Sequence, residues 1–287
     1  MRIIKPSFEI WDQEEGLEGV YKQIERAGRV CYKSEDKITE TSAREFVERM
    51  IKSGHGAMLE AGTIYLRYDF KAREDSNRVA CNLWSKYKEN IYSKAVQAQP
   101  ILGVLDGFVA ITTNYRVLVE NNWLDDLQYI CEPTEFHEKR YTVKFICDRG
   151  VSHEFVRHRV MSFAQESTRY CNYSKDKFNN ECIFIQPPWL DDIETNLDFK
   201  DSLEHSEAAY FALIKRGWKP QQARNVLPNA LKTELVMTGF ASDWEHFFKL
   251  RDAGSAHPQA YELAHPLHME FLRRGYITDL YNEANPD

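Results

Sequence analysis

Apolar positions recur at helical spacing over residues 14–31, where Leu17, Val20, Tyr21, Ile24 and Ala27 share one face. A second helix is predicted from Ser42, which has capping-box spacing to Glu45, to a stop at Gly54. Residues 63–68 alternate instead, placing Ile64, Leu66 and Tyr68 on one side of a strand. Residues 71–90 are polar and show no clear period. Residues 107–111 and 141–147 read as strands, and residues 115–120 and 123–127 as short helices. Asp148-Arg149-Gly150 marks a turn, and Ser152 is the expected N-cap of the helix that follows. Beyond Pro187-Pro188 helices are predicted over 203–215, 221–226, 231–237, 242–250 and 259–274, with Ser242 and Glu245 as a further capping box. Few strands, many helices and no βαβ rhythm predict a mixed α+β domain, mostly helical with a small antiparallel sheet.

Charge narrows the function classes. Lys and Arg total 37 against 44 Asp and Glu, a formal net charge of -7, so the overall field that drives general nucleic-acid binding is missing. Any anionic ligand must be held by a local cluster of cations. Aromatic residues make up 13% of the chain, which supports a packed core and argues against disorder. No apolar run approaches the roughly 20 residues of a membrane-spanning helix. Met1-Arg2-Ile3-Ile4-Lys5-Pro6 carries no secretory apolar stretch, so a soluble, cytoplasmic protein is expected. Cys31, Cys81, Cys131, Cys147, Cys171 and Cys182 have neither zinc-site nor disulfide-framework spacing and are expected to be reduced, mostly buried thiols. No glycine-rich dinucleotide fingerprint or P-loop is present.

The informative stretch is residues 154–170. On a continuous helix Arg157, His158 and Arg159 would point in three directions among Phe155, Val156, Val160 and Phe163, leaving at least one guanidinium partly buried and in need of an anion or a carbonyl-rich ligand. The bland alternative is a basic surface turn paired with Glu154 and Glu166. Gln165-Glu166-Ser167-Thr168-Arg169 offers an amide, two hydroxyls, backbone N–H groups and a guanidinium, a set able to cradle a phosphate. His265 and His268 are three apart on a predicted helix, but a zinc site needs further ligands that spacing does not supply, so no metal site is expected.

Arg157-His158-Arg159 followed after seven residues by Ser167 resembles the signature of the flavin-dependent thymidylate synthases. Residues 54–60, 223–228 and 244–251 are similar, in the same order, to a Gly-His segment, an Ala-Arg-x-Val-Leu-Pro segment and a segment ending in an arginine that contacts dUMP. The chain departs from the family pattern at Glu154, where Gln is frequent, at Ala57, where Thr is frequent, and at Phe240-Ala241-Ser242, where Asn-x-Arg is frequent. His257 also lies farther past Arg251 than in short members.

The resemblance implies a single domain over 1–287 with an insertion at about 71–140, and conversion of dUMP to dTMP. Methylenetetrahydrofolate would donate the carbon, FAD carry the hydride and NADPH act as reductant, in a homotetramer whose sites draw on several subunits. Arg251 would be catalytic, stabilising negative charge on the pyrimidine. Arg157, His158, Arg159, Gln165 and His246 would hold the flavin. Glu154, Arg157, Gln165, Glu166, Ser167, Thr168, Arg169, Arg224 and Arg251 would bind dUMP, with Arg169 and Arg224 on its phosphate. Ser167 fits a hydrogen-bonding role better than a nucleophilic one, since no activating base is visible. Two other classes compete: a nucleotide- or RNA-binding protein without catalysis, and a folate- and flavin-dependent methyltransferase acting on uridine in RNA.

Overall fold

The computed structural model describes residues 1–71, 74–99 and 106–278. The chain begins with β1 (Arg2–Ile4), β2 (Ser7–Trp11), α1 (Gly16–Tyr32), α2 (Ser42–Lys52), α3 (Gly56–Leu59) and β3 (Thr63–Phe70). Next come α4 (Glu74–Lys88), β4 (Lys94–Ala98), β5 (Gly107–Asn114) and α5 (Tyr115–Glu120). They are followed by β6 (Arg140–Asp148), α6 (Arg149–Phe155), β7 (Ser162–Gln165) and β8 (Ile183–Ile185). The last elements are α7 (Leu197–Lys215), α8 (Pro220–Ala223), β9 (Lys232–Phe240), α9 (Ala241–Arg251) and α10 (Pro258–Arg273). Among the described residues the strands form an antiparallel sheet of order β2-β6-β9-β7, a second antiparallel sheet of order β3-β5-β4, and a parallel pair β1-β8. This is the expected mixed α+β class.

One element reverses its expectation. Residues 231–237 read as a helix, yet they lie in β9, paired along its length with β6 and also with β7. Both faces of β9 are covered, so Leu235, Val236 and Met237 are all buried and the period-2 signal of a half-exposed strand is lost. Three expected caps also change. Asp148, not Ser152, caps α6, its carboxylate accepting the Val151 N–H at 2.8 Å, because the helix starts earlier and takes Ser152 into its buried interior. Ser42 forms no capping box with Glu45; its Oγ accepts the Thr39 N–H and donates to Glu25. At α9 it is Asp243 that accepts the Phe240 N–H, while Ser242 donates to Glu138.

The segment expected as an insertion is built into the first core. Its residues 72–73 and 100–105 lie outside the described residues. The stretch without a clear period forms α4, whose Ala80, Leu83 and Tyr87 face inward at helical spacing. With β5 paired along β3, they enclose Ile24, Phe46, Ile64, Leu66 and Ile111 between α1, α2 and the three-stranded sheet. Gly28 permits the close approach of α1 and α2, since a Cβ there would stand 2.4 Å from the Phe46 ring.

A second core lies on one face of the four-stranded sheet, where Val143, Phe145, Leu235 and Met237 meet Trp244, Phe247 and Phe248 of α9 and Leu263, Leu267 and Phe271 of α10. The opposite face receives α1 through Ala27, Val30 and Cys31. Trp189 and Trp218 are exposed, outside both cores. Cys31, Cys147, Cys171 and Cys182 are buried thiols, while Cys81 is exposed. Among the described residues no helix is long and apolar enough to cross a membrane.

Trp244 is fully buried at the centre of the second core and its Nε1 donates to the Tyr141 carbonyl at 3.1 Å. Trp244→Ala is expected to cost about 3–5 kcal/mol of unfolding free energy. Urea denaturation followed by circular dichroism measures it, and a loss below about 1 kcal/mol would contradict this packing.

Candidate active site

The short helix α6 sets the geometry. It stops at Phe155, so Arg157, His158 and Arg159 lie in the turn between α6 and β7 and not on a helix. Val160 closes that turn with φ of 81°, a costly conformation for a β-branched residue. This overturns the expected buried guanidinium: Arg157 and Arg159 are exposed, and His158 takes the interior position. The exchange is physically sensible. An imidazole can shed its charge to enter a core, whereas a guanidinium cannot.

Arg251, at the C-terminal end of α9, reaches this turn. Its Nη1 donates to the Glu154 carboxylate at 2.5 Å, its Nη2 to the Glu154 carbonyl at 2.9 Å, and its Nε to His158 Nε2 at 3.0 Å. A guanidinium only donates, so His158 Nε2 is the acceptor and the ring proton sits on Nδ1. That Nδ1 is buried and has no partner among the described residues. Burial, with the neighbouring Arg251 charge and His246, lowers the His158 pKa to about 4. His246 is exposed on α9, its ring centroid 5.8 Å from that of His158. Glu154 also lines a cavity of about 280 Å³ with Asp148, Trp189, Asn229 and His257.

The second motif is split by strand alternation. Gln165 closes β7 and points toward α6, donating through Nε2 to Ser152 Oγ at 2.9 Å and Thr233 Oγ1 at 3.2 Å. Glu166 points to the opposite side. It is buried, accepting from Lys232 Nζ at 2.8 Å and from the Tyr173 hydroxyl at 3.3 Å. Ser167 is tied by its N–H to the Cys31 carbonyl, and its Oγ accepts the Arg169 N–H at 3.3 Å. Thr168 Oγ1 accepts from Arg224 Nη1 at 3.0 Å. Arg169 is exposed beside the Tyr170 ring. The fold therefore joins Glu154, His158 and Arg251 in one cluster and Thr168 with Arg224 in another. Glu166 is spent on an internal ion network, and among the described residues no carboxylate pairs with Arg157, Arg159 or Arg169.

That network was missed from the sequence. Glu234 pairs with Lys232 at 2.5 Å, Lys33 at 2.8 Å and Lys144 at 2.7 Å, and Lys232 carries the chain of charges on to Glu166. Lys33 follows α1 with φ of 48° and also pairs with Glu35. Burial disfavours the Glu234 charge, but Lys232, Lys33 and Lys144 outweigh it and hold this carboxyl well below the usual range. Lys33, Glu35, Glu166, Lys232 and Glu234 line a cavity of about 420 Å³. Lys232-x-Glu234 is a legible strand face only after the segment is assigned to a strand. Among the described residues no group of His, Cys, Asp and Glu could hold a metal ion. The residues of the turn do suit a flavin. Arg157 and Arg159, without an ion-pair partner among the described residues, could pair with phosphates, and the His158 N–H, unpartnered among them, could donate to a ring carbonyl.

Residues 119–273 match the sequence model of the family described as thymidylate synthase complementing protein. The chain belongs to this family. It is 33% identical over 141 residues to the flavin-dependent thymidylate synthase of Geobacter sulfurreducens, covering 48% of this chain and 57% of that one. A relative of the same name from Pyrococcus furiosus is 33% identical over 139 residues, covering 48% and 56%. The chain thus spans about half the length of the curated relatives it matches. A crystal structure of the UMP/dUMP methylase PolB from Streptomyces cacaoi bound with 5-Br dUMP aligns over 96% of this chain and 93% of that one, at 16% identity and a TM-score of 0.44. The family match takes in every residue of the two clusters, together with Gln165, Glu166, Ser167 and His246.

His158 supplies a pH test. Its folded pKa lies below that of a free imidazole, so between about 6.5 and about 4 the unfolded chain binds more protons. The contribution of this group to stability is therefore present above that window and is lost as pH falls through it. In ¹⁵N NMR the ring is expected to stay neutral, with its proton on Nδ1, down to pH of about 4. A titration midpoint near 6.5, or a proton on Nε2, would contradict the Arg251–His158 bond.

Proposed function

We propose that this chain is a flavin-dependent thymidylate synthase that converts dUMP to dTMP. The observation that carries the reading is the Arg251 guanidinium, held by Glu154 and His158 beside an orphan N–H and two unpaired arginines, within a chain of this family. Carbon 5 of the pyrimidine is a weak nucleophile, and it is activated when the ring gains enolate character, by addition at carbon 6 or loss of the ring N–H proton, so that negative charge is shared between carbon 5 and the ring oxygens. Arg251 would stabilise that charge, an electrostatic role that gains strength in a partly dry site. The Glu154 carboxylate would orient Arg251 and accept a ring N–H. Gln165, Ser167, Thr168 and Arg169 would bind the nucleotide, with Arg169 and Arg224 on its phosphate. Glu166 would serve from within, as the buried anchor of that loop.

Arg157, Arg159, His158 and His246 would hold FAD, His158 donating from Nδ1. When bound, the flavin would supply the hydride, drawn from NADPH, while methylenetetrahydrofolate supplies the carbon. The reading includes a homotetramer in the cytoplasm, and one catalytic domain with the segment at about 71–140 as an insertion.

The test is an anaerobic assay with dUMP, methylenetetrahydrofolate, FAD and NADPH, following dTMP. Arg251→Ala is expected to lower turnover by about 10²–10³-fold while FAD stays bound. Full turnover in that variant would remove the assignment, and methylation of RNA in place of dUMP would redirect it to the folate- and flavin-dependent methyltransferase acting on uridine in RNA. Ser167→Ala is expected to keep measurable activity, since among the described residues no basic side chain bonds its Oγ. Complete loss with dUMP still bound would reinstate a nucleophilic serine.

A further inference from the structure

Asp252 directly follows Arg251 and caps the C-terminus of α9, its N–H donating to the Phe248 carbonyl at 2.8 Å. A carboxylate at that end faces the negative pole of the helix and is disfavoured there. Both of its oxygens are nonetheless engaged. Oδ1 accepts from His265 Nδ1 at 2.8 Å and Oδ2 from His268 Nδ1 at 2.6 Å. The two histidines are three apart on α10 and so share a face. The His268 ring also stacks on Phe248, with centroids 4.5 Å apart and planes at 13°. The last turn of α9 is therefore clamped to α10 by two hydrogen bonds and a ring stack. The side-chain bonds of Arg251, in contrast, all go to Glu154 and His158, groups for which a bound ligand would compete.

We propose that Asp252 is a positioning residue: the His265–Asp252–His268 clamp fixes the end of α9, so that Arg251 stays aimed when a substrate draws its guanidinium away from Glu154. The inference rests on the reading of Arg251 as a substrate-facing group. It gives the histidine pair a purpose that a metal does not supply, because donor-to-oxygen distances of 2.6 and 2.8 Å are those of hydrogen bonds.

The experiment compares Asp252→Asn, Asp252→Glu and the parent as full-length, FAD-loaded protein, at a temperature where circular dichroism shows all three folded. Asp252→Asn keeps the size of the side chain but leaves one imidazole without its acceptor. It is expected to lower kcat on the order of 10²-fold with KM for dUMP nearly unchanged, and Asp252→Glu to restore most of the loss. A clamp that only stabilises the fold would lower the melting temperature and leave kcat at the parent value, and that result overturns the proposal. Should Asp252→Asn fail to fold, His265→Gln at the more exposed imidazole replaces it, and a parent-like kcat there overturns the proposal equally. Exchange of the Arg251 Nε–H, followed by NMR, is a readout independent of turnover. It is expected to quicken in Asp252→Asn, and unchanged exchange overturns the clamp. A parent that makes no dTMP would instead sink the synthase reading while this exchange still tests the clamp.

Discussion

Three lysines converge on the buried carboxylate of Glu234, and the placement of Ser167, Thr168 and Arg169 depends on that convergence. Lys33 comes from the end of α1, Lys144 from β6, and Lys232 from the same face of β9. Each buried charge would be costly alone, and the set is tolerable because each cation shares a carboxylate. Lys232 belongs to both Glu234 and Glu166, so the loop that follows β7 is anchored by the same charge that holds the sheet to α1. The backbone agrees: the Glu166 N–H donates to the Glu234 carbonyl at 2.8 Å and the Ser167 N–H to the Cys31 carbonyl at 3.0 Å. Ser167, Thr168 and Arg169 emerge from a base held by these ion pairs and backbone bonds.

What was legible in the sequence follows how many faces of an element are covered. The helix α9 and the strand β6 bury mainly one face, so their periods survive in the sequence, and α1, though packed on two sides, keeps its apolar stripe at Leu17, Val20, Tyr21, Ile24 and Ala27. β9 packs α9 and α10 on one side and α1 on the other, and its apolar run carries no period to read. α4 is obscured for the opposite reason: among its described side chains the buried ones are Ala80, Leu83 and Tyr87, and so few in a mostly polar helix make a weak stripe. The site was legible as a motif but not as a geometry. Residues 165 and 166 are adjacent in sequence and point to opposite sides of the sheet, one toward Ser152 and the other toward Lys232. Alternation makes that inevitable once β7 is recognised, and four residues are too few to announce a strand.

The basic triplet shows the same limit from another side. Treated as helical, it buries an arginine. Ended by the turn at Val156, it buries the histidine and leaves both arginines exposed. The distinction decides the chemistry available to the site. Two guanidinium groups face solvent, while the imidazole between them is neutral, because burial and Arg251 together lower its pKa. Arg251 thus does two things with one guanidinium. It fixes the His158 tautomer through Nε and neutralises Glu154 through Nη1.

Such economy makes the aim of Arg251 the sensitive variable. A ligand that engages its Nη groups loosens the contacts with Glu154, and the Nε bond to His158 alone cannot fix the guanidinium plane. The direction then depends on the backbone from which the side chain springs. The last carbonyls of a helix have no partner within it, so the end of α9 depends on contacts made from outside the helix. Asp252 supplies the missing restraint one residue on, at a position where a carboxylate is unwelcome without donors. The two imidazoles of α10 meet that need, and the second core, through Phe248 and His268, thereby extends its rigidity to the arginine at its edge.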